Sequence, residues 1–524
     1  MQKPPILILI LFISWNVHQL SGQGLSSAQI DSIVHQSMEM MPQAGVAVAV
    51  VKDGKIIHEK GYGITSIESK EPVDEHTLFA IASNTKSFTA TALAILVDEG
   101  KLAWKDKVVQ NIPEFKMYDP YVTENFNIQD LLCHRSGLGL GAGDLLFWPG
   151  GTNATIDDIL NCFQYLEPVS AFRTQYDYDN LMYIIAGEVV ARVSGTSWKD
   201  FVQERILTPL DMQRSDFMHS IAKDKQNVAL PHSSANGQLK LLGDFNDKNG
   251  LTGAAGGIYA SVHDMSKWLL LQLQEGQYGK ELSERLVSKR NIREMWKPHT
   301  NVGFSAKPKA PYKTHFSAYG LGWFVEDRNG YVTLEHTGGL PGMLSSTLLI
   351  PELNLGVVVL TNADPGGYSY FSIRAEIMDA FLNVERKDWI SIAQQWITAR
   401  ASKGDSVLNA AWDIAKTKDS NHLDLNNFIG TYQDKWFGKI EVNLQDDKLW
   451  FNTEKSPKLN GEMFFYKAST FAIKMEYTDM ICDAFAIFSL DENGKAIGMK
   501  LKAISPNTDF SFDYQDLNFS RIDE

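Results

Sequence analysis

Cysteine is scarce in this chain. Cys133, Cys162 and Cys482 are the only three among 524 residues. Their odd number and spacing build neither a disulfide framework nor a metal-ligand pattern, and each sits in apolar company. They read as buried small hydrophobes, with a Cys133–Cys162 bridge as the one pairing open to an oxidising compartment. Long apolar runs are also missing. Ile6 to Ile13 is unbroken, well short of the roughly 20 residues that span a bilayer, so no stable membrane span is expected. No run of lysines or arginines offsets the net charge of −14, and a chain this acidic is a poor partner for nucleic acid. The chain has no Walker loop, dinucleotide glycine fingerprint, Gly-x-Ser-x-Gly elbow or His-Glu-x-x-His pair, and those enzyme classes are left without a signature. No histidine pair has metal-ligand spacing, so neither metal nor cofactor is expected.

What is present begins with a leader-like segment. Lys3, the apolar stretch and Leu20-Ser21-Gly22 read as a secretory signal peptide over residues 1–22 and imply a secreted or periplasmic protein. The most informative stretch follows at Ser83-Asn84-Thr85-Lys86. In a helix, positions i and i+3 share a face, so the Lys86 stem can reach the Ser83 hydroxyl. Ser87 to Val97 is rich in Ala, Leu, Ile and Thr, with neither Gly nor Pro before Gly100, as suits a buried helix. A lysine buried beside a serine loses its proton more easily and can serve as its base.

Two later motifs fall in a telling order. Tyr178-Asp179-Asn180 precedes a helical apolar run, and His336-Thr337-Gly338-Gly339 ends a strand-like one. Ser-x-x-Lys, then Tyr-x-Asn, then a basic residue followed by Thr-Gly resembles the serine β-lactamase and penicillin-binding protein superfamily. Within it, the pattern is similar to the class C β-lactamase, D-aminopeptidase and esterase branch. Asp130 to Leu138, Ala255 to Ile258, Tyr319 to Trp323 and His336 to Gly342 carry further resemblance, which runs from about residue 25 to 385.

The organisation reads as a leader, a hydrolase domain over 23–385, a helical linker over 386–424 and a β domain over 425–524. Gly45 to Val51 and Lys55 to Tyr62 form a hairpin across Asp53-Gly54, a type I′ signal. With segments between residues 321 and 360 they suggest an antiparallel sheet of at least five strands flanked by helices. The region from about 100 to 315 reads as mostly helical, with long loops such as Gly137 to Gly151 as candidate cleft walls. The fold class is therefore α+β, with a helical subdomain, in keeping with the β-lactamase/transpeptidase-like fold that the resemblance implies. About eight short strands after Phe428, Phe510 to Tyr514 among them, suggest a small antiparallel barrel. It resembles, more loosely, a lipocalin-like module. With no nucleophile–base set of its own, it is expected to limit access or mediate assembly, not to furnish catalytic residues.

The resemblance implies an acyl-enzyme hydrolase of small-molecule or peptide substrates. Ser83 is the nucleophile, Lys86 its neighbouring base and Tyr178 a proton shuttle that needs Lys86 to stabilise its phenolate. Asn180 orients Lys86 and meets the substrate amide, while Asp179 caps the following helix. Tyr176, Tyr183, His134 and His232 are assigned structural roles. Thr337 offers a hydroxyl, Gly338 belongs to the same substrate-binding strand, and Gly339 supplies an oxyanion N–H. His336 stands where related β-lactamases carry lysine, which puts β-lactam hydrolysis in doubt. A histidine with its usual pKa of about 6.5 is partly charged at neutral pH, so turnover of anionic substrates is expected to improve toward pH 6. Ester or amide substrates, D-amino-acid peptides among them, head the candidates. A β-lactamase or D,D-peptidase is the alternative, and a non-catalytic penicillin-sensing or peptidoglycan-binding protein is the rival of another class.

Overall fold

A computed structural model describes residues 24–522 except 219–225, 235–236, 244, 246, 248, 365, 383 and 418–422. The leader-like segment over residues 1–22 lies outside the described residues.

Gly45–Lys52 (β1) and Lys55–Gly63 (β2) form the expected hairpin, with Asp53 and Gly54 both at positive φ, as a type I′ turn requires. They join Thr300–Lys309 (β3), Thr314–Tyr319 (β4), Phe324–Arg328 (β5), Tyr331–Leu340 (β6), Met343–Ile350 (β7) and Leu355–Thr361 (β8). The result is one antiparallel sheet of eight strands in the order β3-β4-β5-β6-β7-β8-β1-β2. The sequence reading missed the β3–β4 hairpin. Its polar strands lie at and next to the sheet edge and are largely exposed, so they lack the apolar signal of the central strands.

Central strands β1 and β8 are buried along nearly their whole length because both faces are covered. Val46, Val48 and Val50 pack toward Ser27–Met40 (α1) and Gly366–Leu382 (α5). Ala47, Ala49 and Val51 face the opposite way, into the core shared with Thr85–Asp98 (α2) and Val262–Leu273 (α4). Phe88 of α2 stacks on Trp268 of α4 with ring centroids 3.7 Å apart. Asn180–Ser194 (α3) lies against α2, within the helical region between the two parts of the sheet. Cys133, Cys162 and Cys482 are all free and buried, so no Cys133–Cys162 bridge forms.

Trp389–Lys403 (α6) and Ser406–Thr417 (α7), parted at Gly404, lead to the C-terminal module. There, Gly430–Asp434, Gly438–Gln445, Lys448–Thr453, Gly461–Lys467, Thr470–Met475, Ala484–Leu490, Ala496–Ala503 and Phe519–Ile522 (β9 to β16) close in chain order into an eight-stranded antiparallel barrel. The barrel is the expected one, but one strand differs. Phe510 to Tyr514 alternates like a strand yet is turn and loop, and Gly430–Asp434 completes the ring instead. Phe512 and Tyr514 are buried in the core. Asp513 is also fully buried, because the backbone N–H groups of Gly143 and Leu145 in the other domain bind its carboxylate at 2.7 and 3.0 Å. No described helix is long and apolar enough to cross a membrane.

Strand β6 passes so close to the start of α2 that Gly338 has no room for a side chain. A Cβ there would stand 2.1 Å from the Ile81 carbonyl and 2.5 Å from Ser345 Oγ. Gly338→Ala should therefore cost about 1–3 kcal/mol through overpacking. The check is the midpoint of denaturant unfolding, and an unchanged midpoint would show that the strand can retreat freely.

Candidate active site

Ser83 lies in a 3₁₀ turn, Ala82–Asn84, that runs directly into α2. Ala82 before it holds φ at +46°, a conformation that costs a non-glycine residue energy and persists only when its surroundings enforce it. They do so here. Ile81 donates its N–H to the Ile258 carbonyl, Ser345 Oγ donates to the Ile81 carbonyl at 2.7 Å, and Asn84 Nδ2 donates to Ser345 Oγ at 2.8 Å. The nucleophile candidate is thus pinned between the helix start and the sheet.

Lys86 is one turn further on, with no solvent exposure. Its Nζ lies 3.1 Å from Ser83 Oγ, 2.8 Å from Asn180 Oδ1 and 2.9 Å from the Ala255 carbonyl. The Ala255 position is steadied by Thr89, which donates to the neighbouring Ala254 carbonyl at 2.7 Å and accepts from the Trp198 indole. Burial brings the Lys86 pKa down to about 7, against the opposing influence of Asp144 and Asp179. The neutral amine therefore becomes accessible at physiological pH. Two of the three Nζ neighbours, an amide oxygen and a backbone carbonyl, can only accept. A neutral amine that donates to both leaves its lone pair for the Ser83 hydroxyl.

Tyr178 joins the same group. Its phenol lies beside Ser83, and its ring centroid is 4.8 Å from Lys86 Nζ. Burial pushes its pKa above the usual tyrosine value. The phenolate expected from the sequence is therefore replaced by a protonated phenol, able to donate and to relay. The ring rests on His134, with centroids 4.2 Å apart. His134 Nδ1 accepts from the Asp179 N–H at 3.1 Å. Nearby, Arg135 and Arg173 converge on the fully buried Asp130 at 2.7 and 2.6 Å. These contacts give Asp130 to Leu138 its role as a support beneath Tyr178. Asp179 caps α3 as expected, accepting from the Met182 N–H. Tyr183 is structural, donating to the Leu132 carbonyl, whereas Tyr176 reaches the cleft wall. His232 bonds within its loops, to Ile67 and Asn362.

His336 reads differently in three dimensions. It is only 2% exposed. Its Nδ1 lies 2.7 Å from the Thr337 carbonyl, which can only accept, so Nδ1 carries the hydrogen. Nε2 is then left to accept from the Tyr319 hydroxyl at 2.7 Å. Burial, with Lys86 adding to it, brings the His336 pKa down to about 3. The ring is neutral across the physiological range, which overturns the expectation of a partly charged histidine aiding anionic substrates near pH 6. Thr337 is among the residues that line the Ser83 cleft. Tyr370 of α5 lies beside its hydroxyl, and its cross-strand partner Ser346 accepts from Arg374 of the same helix. The Thr337 side chain thus lies on the α5 face of the sheet. Gly339, exposed and two positions further along β6, lies at the mouth of the cleft.

The cleft around Ser83 encloses about 550 Å³. Its apolar wall includes Phe147, Trp148, Phe245 and Leu344, with Phe510 and Met480 reaching in from the barrel. The described lining residues include no lysine or arginine but two carboxylates, Asp364 and Asp509. Among the described residues no group of three or more His, Cys, Asp or Glu could hold a metal ion. Two contributors escaped the sequence reading. Asp144 sits in the Gly137–Gly151 loop, which was recognised only as a cleft wall. Its Oδ2 accepts from Asn180 Nδ2 at 2.8 Å and from Ser511 Oγ at 2.7 Å. Ser511 lay hidden in the segment read as a strand. The C-terminal module thus supplies part of the cleft wall.

A serine at a helix start, a desolvated lysine and a Tyr-x-Asn pair together form a serine hydrolase site on a β-lactamase-like fold. The Beta-lactamase family model matches residues 30–380, and the chain belongs to that family. A second model, a domain of unknown function (DUF3471), matches residues 415–521. Protein flp of Staphylococcus aureus strain MW2 is 27% identical over 339 residues, which cover 64% of this chain and 63% of flp, so the chain spans less than two thirds of that relative. Unguisins hydrolase ungD of Aspergillus violaceofuscus is 26% identical over 444 residues, 79% of this chain and 76% of ungD. The octameric penicillin-binding protein homologue from Pyrococcus abyssi superposes with a TM-score of 0.56 at 20% identity, over 94% of this chain and all of that one, a likeness of fold alone.

Acylation of Ser83 should rise with pH through about 7 as Lys86 loses its proton. The measurement is the rate of covalent labelling against pH. Lys86→Ala should slow it roughly 10²-fold or more, while His336→Gln should leave the inflection where it is. An inflection that vanished with His336 would reassign the titrating group.

Proposed function

We propose that the protein is a serine hydrolase that forms an acyl-enzyme on ester or amide substrates whose acyl group carries no negative charge, D-amino-acid peptides among the candidates. One observation carries this reading: Lys86 Nζ, drained of charge by burial and committed to two acceptors, has its third position on Ser83 Oγ. In the forward step Ser83 Oγ attacks the carbonyl carbon as its proton passes to Lys86. The oxyanion faces the Ser83 and Gly339 N–H groups. Tyr178 donates to the departing oxygen or nitrogen and is re-protonated from Lys86. Water then cleaves the ester by the same relay in reverse. The hydrolase named among the relatives supports the general class.

The alternative, an efficient β-lactamase, is disfavoured by the same cleft. The β-lactam carboxylate would meet a neutral His336 and the carboxylates of Asp364 and Asp509. A fixed cation there would be worth about 1–3 kcal/mol, or roughly 5- to 150-fold in rate. The test is kcat/KM for a neutral nitrophenyl ester, a D-amino-acid amide and nitrocefin, in wild type and His336→Lys. The ester or amide should lead, nitrocefin should trail by about 10²-fold or more, and the substitution should narrow that gap. Nitrocefin turnover near 10⁶ M⁻¹s⁻¹, about the range of efficient enzymes, would reverse the assignment. No turnover and no adduct with any substrate would favour the non-catalytic binding protein.

A further inference from the structure

Asn180 can serve Lys86 only in one of its two amide orientations. Its oxygen must face the amine, because an NH₂ group there would oppose a donor with a donor. What selects that orientation is Asp144, whose Oδ2 takes the Asn180 Nδ2 hydrogen at 2.8 Å. Asp144 is fully buried, and its other oxygen, Oδ1, is buried without a hydrogen-bond partner. One carboxylate oxygen therefore receives all the hydrogen bonds this side chain has. The second of them comes from Ser511 Oγ at 2.7 Å, delivered by the C-terminal barrel. The delivery is firm. Asp513, two residues on, binds the Gly143 and Leu145 N–H groups on either side of Asp144, and Ser456 of the barrel donates to the Leu145 carbonyl at 2.8 Å. Gly141, at φ +72°, lacks the side chain that would collide with Phe510 2.8 Å away.

We propose that Ser511 is a positioning residue for Lys86, acting through Asp144 and Asn180, so that the barrel completes the acylating site instead of merely covering it. The proposal rests on the hydrolase reading above. Besides Ser83 and Asn180, the groups facing Lys86 and Asp144 are Tyr178, Tyr183, His134, His336, Asp179, Asp513 and Cys162. Burial pushes the Asp144 pKa well above the usual carboxylate range; the Ser511 and Asn180 hydrogen bonds oppose this and favour its charged form, and a charge on Asp144 raises the Lys86 pKa. Loss of the hydroxyl therefore loosens the amide and also moves the Lys86 inflection to lower pH.

The experiment uses the full chain and needs no knowledge of the natural substrate. Fluorophosphonate labelling and nitrophenyl ester hydrolysis are followed against pH for wild type, Ser511→Ala, Ser511→Thr, Asp144→Asn and the Ser511→Ala/Asp144→Asn pair. Ser511→Ala should lower kcat about 10-fold or more at unchanged KM, the scale of one hydrogen bond to a charged group, and shift the acid limb downward. Ser511→Thr, which keeps the hydroxyl, should restore both. Asp144→Asn should reproduce the loss, and adding Ser511→Ala to it should cost little more. Wild-type kcat and pH profile in Ser511→Ala, a loss confined to KM, or multiplicative losses in the pair would overturn the proposal while leaving the hydrolase reading intact. A wild-type protein that takes no label at Ser83 would overturn the reading and the proposal with it.

Discussion

An ammonium taken wholly out of water loses more solvation than two or three hydrogen bonds return, and the cheaper outcome is to lower its pKa. That constraint on Lys86 organises the rest of the structure. The apolar positions of α2 bury the side chain, the Asn180 amide and the Ala255 carbonyl receive two of its hydrogens, and Ser83 is left as the third neighbour. The surrounding elements each hold one of these partners. The 253–256 turn sets Ala255, α3 sets Asn180, and the Ala82 distortion sets Ser83. A nucleophile on a surface helix would have none of this support.

The two domains meet at the same chemistry. The C-terminal barrel has no nucleophile of its own, yet its 509–513 segment enters the cleft and ends in hydrogen bonds to the loop that carries Asp144. Lys455 pairs with Asp158, and Asn153 donates its N–H to the Lys455 carbonyl, extending the junction along the same loop. The long Gly137–Gly151 connection is therefore ordered by the other domain. Phe510 stands nearly perpendicular to the Tyr178 ring, 6.0 Å between centroids, so the same segment also shapes the space for substrate.

Much of this was legible in the sequence where the signal is local. Ser83 and Lys86 meet because i and i+3 share a helix face, and the β1–β2 hairpin follows from Asp53-Gly54 between apolar runs. The central strands are visible as apolar runs. What stayed hidden depends on distant partners. The β3–β4 hairpin is polar because one side meets water. The alternation of Phe510-Ser511-Phe512-Asp513-Tyr514 mimics a strand because aromatic residues anchor the segment while Ser511 and Asp513 reach across to another domain. His336 looks titratable in one dimension, and only burial between Tyr319 and its own strand carbonyl makes it neutral. Asp144 bears no motif at all, being one acid in a glycine-rich loop until Asn180 and Ser511 close on it.

The central claim is that the lone pair of Lys86 serves one hydroxyl, that of Ser83. Its most direct test is to trap the enzyme with a slowly deacylating ester and locate the added mass by peptide mapping, in wild type and in Ser83→Ala. The account predicts a single acyl group on the peptide that carries Ser83, absent from the variant. An adduct on another serine, or one that persists in Ser83→Ala, would contradict it.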